Sequence, residues 1–263
     1  MSLRILITGS SDGIGAAAAR QLIARGHEVY LHARNSERAI TAEKACPGSA
    51  GILTGDLSNI QDLKSLAGQA NDLGPLDAVI HNAGIYLGPF RKTRDMGVPM
   101  QVVVNLLAPY ILTALMKKPK RLVYISSMLH KKGDAEQKDL FWFGRGEEKW
   151  DDAQSYFDSK LQLNAMANGI ARRLKGKTAV SIVDPGWVAT KLGGVHATDR
   201  IEDGVETYVL LAEGRYDTDV SPGYFEGKGV KGEQLGVAMD EQFQEWALGM
   251  LEMQTGVRAL ESR

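Results

Sequence analysis

The chain is predicted to be α/β, a doubly wound parallel sheet of about seven strands with helices on both faces. Three observations predict this. Strand-like and helix-like stretches alternate along the whole 263 residues. The strands are near-continuous apolar runs, which a sheet covered on both faces requires. A glycine-rich turn, Gly9-Ser10-Ser11-Asp12-Gly13-Ile14-Gly15, joins the first strand to the first helix.

The elements follow in order. Leu3 to Thr8 is a short strand, and an alanine-rich helix runs from about Ala16 to Arg25, stopped by Gly26. Glu28 to His32 is the second strand, Ser36 to Ala45 a helix, and Gly51 to Thr54 the third strand. Ser58 or Asn59 caps the next helix, which ends near Leu73. Leu76 to His81 is the fourth strand, and one continuous helix is expected from about Pro99 to Met116. Arg121 to Ile125 is the fifth strand, and a polar and aromatic stretch covers Leu129 to Asp151. A long helix spans about Asp152 to Leu174, and Thr178 to Val183 is the sixth strand. A glycine-rich loop, a helix from Ile201 to Glu213, a short strand at Tyr224-Phe225 and a helix from about Asp240 to Gln254 complete the chain. No repeat, low-complexity tract or linker divides it, so residues 1–263 read as one domain.

Lys and Arg number 31 against 32 Asp and Glu, which gives no electrostatic case for nucleic acid or an anionic membrane. Cys46 is the one cysteine, and no zinc-type Cys/His spacing occurs. The most apolar segment, Val102 to Met116, is shorter than the ~20 residues of a membrane span. No signal peptide or N-terminal anchor is read, and a cytoplasmic location is expected.

Parallel sheets bind ligands beyond the carboxyl ends of their strands. Thr8, Asp56, Asn82, Ser126 and Pro185 all fall at such ends and are expected to converge. Glycines at 9, 13 and 15 let the backbone approach a pyrophosphate, and the helix N-terminus favours an anion. The end of the second strand reads His32-Ala33-Arg34-Asn35, without a carboxylate before Glu37. Arg34 suits a 2′-phosphate, so NADP(H) is expected as the cofactor, with NAD(H) the alternative. Tyr156 and Lys160 are four residues apart, on one helical face. A cation beside a phenol lowers its pKa, which turns the pair into an acid/base device. Alone, this spacing is also what ordinary helix-surface neighbours show.

Together the motifs resemble the short-chain dehydrogenases/reductases. Thr8-Gly9-x-x-x-Gly13-x-Gly15, Asn82-Ala83-Gly84, Tyr156-x-x-x-Lys160 and Pro185-Gly186-x-x-x-Thr190 occur in that family's order. Ser126-Ser127-Met128-Leu129-His130, the 29-position interval from Ser127 to Tyr156, Asp184-Pro185-Gly186-Trp187-Val188 and Gly223-Tyr224-Phe225 are similar to its retinol-dehydrogenase-like branch. The resemblance implies a Rossmann fold and an oxidoreductase moving hydride between NADP(H) and an alcohol, aldehyde or ketone, often lipophilic. It implies that Ser127 (or Ser126) binds the substrate oxygen, that Tyr156 is the general acid/base, and that Lys160 holds the ribose and lowers the phenol's pKa. It implies that Asn105 holds a relay water near Lys160 and that Asn82, Ala83 and Gly84 stabilise the cofactor side of the cleft. Gly9, Ser11, Asp12, Gly13, Ile14 and Gly15 would cradle the pyrophosphate. Asp56 and Leu57 would border the adenine, and Pro185, Gly186, Val188 and Thr190 the nicotinamide. Family members pair long helices across a two-fold axis, so the apolar surplus at Leu161, Leu163, Met166 and Ile170 hints at a homodimer or homotetramer.

Substrate selection is assigned to 128–151 and 191–235. Phe141, Trp142, Phe143 and Trp150 either line an apolar pocket or pack the insertion onto the domain. His130 is read as a loop histidine, Trp187 as a packing residue, and Lys117-Lys118 as solvated surface. Two other functions compete. A sugar-nucleotide epimerase or dehydratase also uses Tyr-x-x-x-Lys, but the glycine spacing and short C-terminal part disfavour it. A cofactor-sensing protein without catalysis has no need of Ser127, Tyr156 and Lys160 together.

Overall fold

The computed structural model describes residues 1–136, 139–194, 196–216 and 221–258. Seven parallel strands form one sheet in the order β3-β2-β1-β4-β5-β6-β7. They are β1 (Arg4–Ile7), β2 (Glu28–Ala33), β3 (Gly51–Thr54), β4 (Ala78–His81), β5 (Arg121–Ile125), β6 (Ala179–Val183) and β7 (Gly223–Phe225). The helices are α1 (Gly13–Ala24), α2 (Ser36–Ala45), α3 (Ile60–Asp72), α4 (Met100–Val102), α5 (Ala108–Leu115), α6 (Asp152–Leu174), α7 (Ile201–Glu213) and α8 (Glu241–Thr255).

The continuous apolar strands sort onto two cores because successive side chains point to opposite faces. Leu6, Val79, Leu122 and Tyr124 enter one core with α3, α5, α6 and α8. Ile5, Ile7, Ile80, Val123 and Ile125 enter the other with α1 and α7. Helix starts follow their caps. Asn35 Oδ1 accepts from the Arg38 amide, Asn59 from Gln61 and Asp62, and Asp151 from Gln154.

The helix expected from Pro99 to Met116 is not a single α-helix, because Val103–Leu107 forms a π-turn between α4 and α5. Pro109 has no N–H, so the Asn105 carbonyl cannot take the usual i+4 bond there. Lys118 is not simply solvated either. Its ammonium donates to the carbonyls of Thr113, Ala114 and Met116 and closes the C-terminus of α5.

The apolar surplus of α6 is used within the chain. Leu161 lies under Gly133, and Gly169 lies so close to Leu248 of α8 that an added Cβ would sit 2.7 Å from its Cδ1.

Candidate active site

The carboxyl ends of β1 to β6 open into one cavity of about 770 Å³. The catalytic and cofactor candidates named from the sequence line it, except Asn105, while Thr8 lies beneath the turn and binds Asn82.

The glycine turn forms one end. Gly9 has φ +64, and a Cβ there would lie 2.9 Å from Ala83 Cα. At Gly15 a Cβ would lie 2.4 Å from Asn82 Nδ2 and 2.6 Å from the Gly9 carbonyl oxygen, so the close approach itself requires glycine. Asn82 knits β4 to this turn by donating Nδ2 to the carbonyls of Thr8 (2.9 Å) and Gly9 (3.1 Å). His32, unassigned from the sequence, bridges two turns. Its Nδ1 accepts from the Gly9 amide at 3.0 Å, and its Nε2 donates to the Gly55 carbonyl at 2.9 Å. Burial lowers its pKa, which keeps the neutral tautomer these bonds need.

Arg34 stands exposed at the cavity rim. Arg38, which sequence reasoning missed, joins it and donates Nη2 to Ser11 Oγ and Asp12 Oδ2, both at 2.7 Å. Asp56 Oδ1 accepts from the amide and hydroxyl of Ser58 (2.9 and 2.7 Å), which fixes the β3 end of the groove.

The opposite end holds the acid/base pair. Ser126 donates its hydroxyl to Asn164 Oδ1 at 2.6 Å and is thereby committed inward. Ser127 accepts from the Leu129 amide, and its hydroxyl, unlike that of Ser126, acts on the Tyr156 phenol and opposes the rise of its pKa, which favours Ser127 of the two serines. Tyr156 is buried, with Tyr86 packed edge-on at 4.7 Å. Burial pushes its pKa well up, the Ser127 bond opposes this, and Asp184 and Tyr86 push further up. Lys160 Nζ donates to the Ile125 carbonyl at 2.7 Å and lies 5.5 Å from the Tyr156 ring centre. Burial lowers the Lys160 pKa to about 8, opposed by Asp184. The expected downward pull of Lys160 on the phenol is therefore not the dominant influence; burial outweighs it.

Asn105 lies off the cavity, within the π-turn. Its Oδ1 accepts from the Ile85 amide (2.8 Å), while Nδ2 donates to the Ile85 carbonyl (2.9 Å) and Ser159 Oγ (3.1 Å). The side chain ties the loop after β4 to α6 rather than facing a ligand.

The apolar wall beside Tyr156 comes from Ile85, Tyr86, Met100, Val104, Met128, Leu129, Trp187 and Leu192. Half of these precede residue 128 and so lie outside the 128–151 and 191–235 segments to which substrate selection is assigned. Positions 137–138, 195 and 217–220 of those segments lie outside the described residues. None of Phe141, Trp142, Phe143 and Trp150 lines the cavity. Trp142 is buried between the Arg145 guanidinium, 3.6 Å from its ring centre, and Trp150 at 4.9 Å. Trp150 donates Nε1 to the Gly88 carbonyl, so these rings pack the insertion onto the domain. Trp187 is half-exposed at the cavity mouth and donates Nε1 to the Gly193 carbonyl at 2.8 Å. His130, read as a loop histidine, is fully buried.

Among the described residues no His/Cys/Asp/Glu cluster is arranged for a metal, and no helix is long and apolar enough to cross a membrane. Chemically, the site joins a groove suited to a dinucleotide with a protonated phenol and a serine hydroxyl that can hold one oxygen.

The family model described as "short chain dehydrogenase" matches residues 4–138. The short-chain dehydrogenase chyC of Penicillium rubens is 52% identical over 97% of this chain and 98% of that protein. Human retinol dehydrogenase 14 is 31% identical over 90% of this chain and 81% of that protein. The crystal structure of NADPH-bound carbonyl reductase from chicken fatty liver superposes with a TM-score of 0.69 at 20% identity, over 89% of this chain and 99% of that one.

Proposed function

The chain belongs to the short-chain dehydrogenase family, in its retinol-dehydrogenase-like branch, and we propose that it is an NADP(H)-dependent reductase of an apolar aldehyde or ketone, with Tyr156 as the general acid. One observation carries this reading. A single cavity runs from Arg34 and Arg38 at one end to Ser127, Tyr156 and Lys160 at the other, past a turn where a Cβ at Gly9 or Gly15 would clash. Residues 1–263 would thus serve as one domain for both cofactor and substrate.

The residues fit the cofactor. The turn from Gly9 to Gly15 and the α1 N-terminus would hold the pyrophosphate. Arg34 and Arg38 would take the 2′-phosphate, Asp56 and Leu57 the adenosine side, Pro185, Gly186, Val188 and Thr190 the nicotinamide, and Lys160 the ribose hydroxyls. When bound, NADP(H) supplies or accepts the hydride. Ser127 donates to the substrate oxygen and orients it against Tyr156. The buried phenol stays protonated at neutral pH and gives its proton to that oxygen, which favours the reductive direction. Through its links to Ile85 and Ser159, Asn105 keeps the loop and helix of the site in register, and its carbonyl is the anchor for a water serving Lys160.

Cofactor oxidation against a panel of aromatic and aliphatic aldehydes and ketones tests this. The expected result is turnover with NADPH well above that with NADH on at least one apolar carbonyl. Preference for NADH, or tight NADPH binding with no turnover across the panel, would overturn it.

A further inference from the structure

His130 takes no part in the chemistry above, yet both of its ring nitrogens are used. Nδ1 donates to the Ser127 carbonyl at 2.7 Å, and Nε2 accepts from the Leu235 amide at 3.0 Å. The ring is buried against Tyr224, with ring centres 5.3 Å apart. One donor and one acceptor define the neutral imidazole, and burial, which lowers its pKa, keeps it so.

These two bonds belong to a closed circuit. Leu235 leads into a short turn, Gly236–Met239, whose Ala238 carbonyl accepts from Asn168 Nδ2 at 2.8 Å. Asn168 lies on α6, the helix that carries Tyr156 and Lys160. The path from Ser127 therefore runs through His130 and Leu235 to Ala238, Asn168 and α6, and so back to Tyr156. Ser127 itself sits on a short loop after β5, where its hydroxyl receives only the Leu129 amide from its own segment. A loop residue so placed needs an outside brace to hold its hydroxyl at a fixed distance from a phenol on another element.

We propose that His130 is a positioning residue: it braces Ser127 against the 235–239 segment and so sets the Ser127–Tyr156 geometry that receives the substrate oxygen. The proposal rests on the reading of Ser127 and Tyr156 as the pair that handles that oxygen. It makes a C-terminal segment that touches no cavity wall a determinant of turnover.

The test has two arms. In the first, amide hydrogen exchange compares wild type with His130→Ala over 127–132 and 234–239. Exchange at Leu235 and Leu129 should quicken together, while the glycine turn and the centre of α6 stay protected. In the second, His130→Ala should lower kcat for carbonyl reduction by ~10²-fold, the scale of a misplacement of about 1 Å, with NADPH affinity unchanged. His130→Asn, which keeps a donor near the Nδ1 position, should recover part of the loss. Leu235 has φ −59, an angle proline adopts, so Leu235→Pro removes the amide hydrogen at a φ the ring accepts. Combined with His130→Ala it should add little, because both break one link. Unchanged exchange at Leu129, wild-type kcat in His130→Ala, or fully additive losses would each overturn the proposal. A wild-type protein without carbonyl turnover sinks the reductase reading alone, since the exchange arm still decides the brace.

Discussion

Tyr156 and Lys160 titrate in opposite senses from those a bare Tyr/Lys pair suggests. Burial raises the phenol and lowers the ammonium to about 8. The acid form of Tyr156 therefore persists across neutral pH, and in the proposed reduction the group expected to limit the rate at alkaline pH is Lys160. Its charged form exists below its pKa, so reduction with NADPH should be flat from pH 6 to 7 and fall as the pH rises through about 8. In Lys160→Arg that limb should move far upward, and a limb that stays near 8 in this variant would contradict the assignment. At the other end of the groove, Arg34→Asp should shift preference towards NADH, and Arg38→Ala should weaken NADPH binding while barely changing NADH binding. Equal loss for both cofactors would mean that Arg38 serves only its bonds to Ser11 and Asp12. Arg34 was legible because it stands where an acidic residue is expected. Arg38 was not, because it lies inside the following helix, where an arginine is usually solvated.

Among the elements, strands and helix starts were readable because they depend on local chemistry, namely apolar runs, caps and glycines. The π-turn was not, because it arises from the meeting of Pro109 with the bonds of Asn105 to Ile85 and Ser159. For the aromatic 139–150 stretch the sequence left packing and pocket lining open, since only the fold places Gly88 and Arg145 around Trp150 and Trp142. The glycine turn makes the sharpest prediction at this scale. Gly15→Ala places a Cβ against Asn82 and the Gly9 carbonyl, and should cost ~1–3 kcal/mol of stability together with most NADPH affinity. Thermal melting and cofactor fluorescence check this, and a stable variant with intact affinity would show that the turn relaxes freely.

Across the whole molecule, the parallel sheet of about seven strands, its covering by helices on both faces and the meeting of distant motifs at the strands' carboxyl ends were legible, because a doubly wound sheet leaves few choices for strand ends. The covering of α6 by α8 was not, since an apolar helix face does not say whether its partner is a second copy or the same chain. A buried histidine makes the fold sensitive to acid. His81 is stacked on Tyr124, and burial lowers its pKa from 6.5 to about 3. The unfolded chain then binds a proton that the folded chain refuses. Stability is full above about 6.5 and is lost as the pH falls towards about 3, by roughly 1.4 kcal/mol per unit. Urea titrations at pH 7 and pH 5 should show this loss, and His81→Gln should flatten it; equal midpoints for wild type at both values would contradict it.

The central claim is that Tyr156 gives a proton to a carbonyl oxygen held at the end of an NADPH groove. NADPH oxidation by Tyr156→Phe, measured beside wild type on the best carbonyl of the panel, tests it most directly. Turnover should fall by ~10²–10⁴-fold while NADPH binds as tightly as before. Turnover at the wild-type rate would contradict the claim.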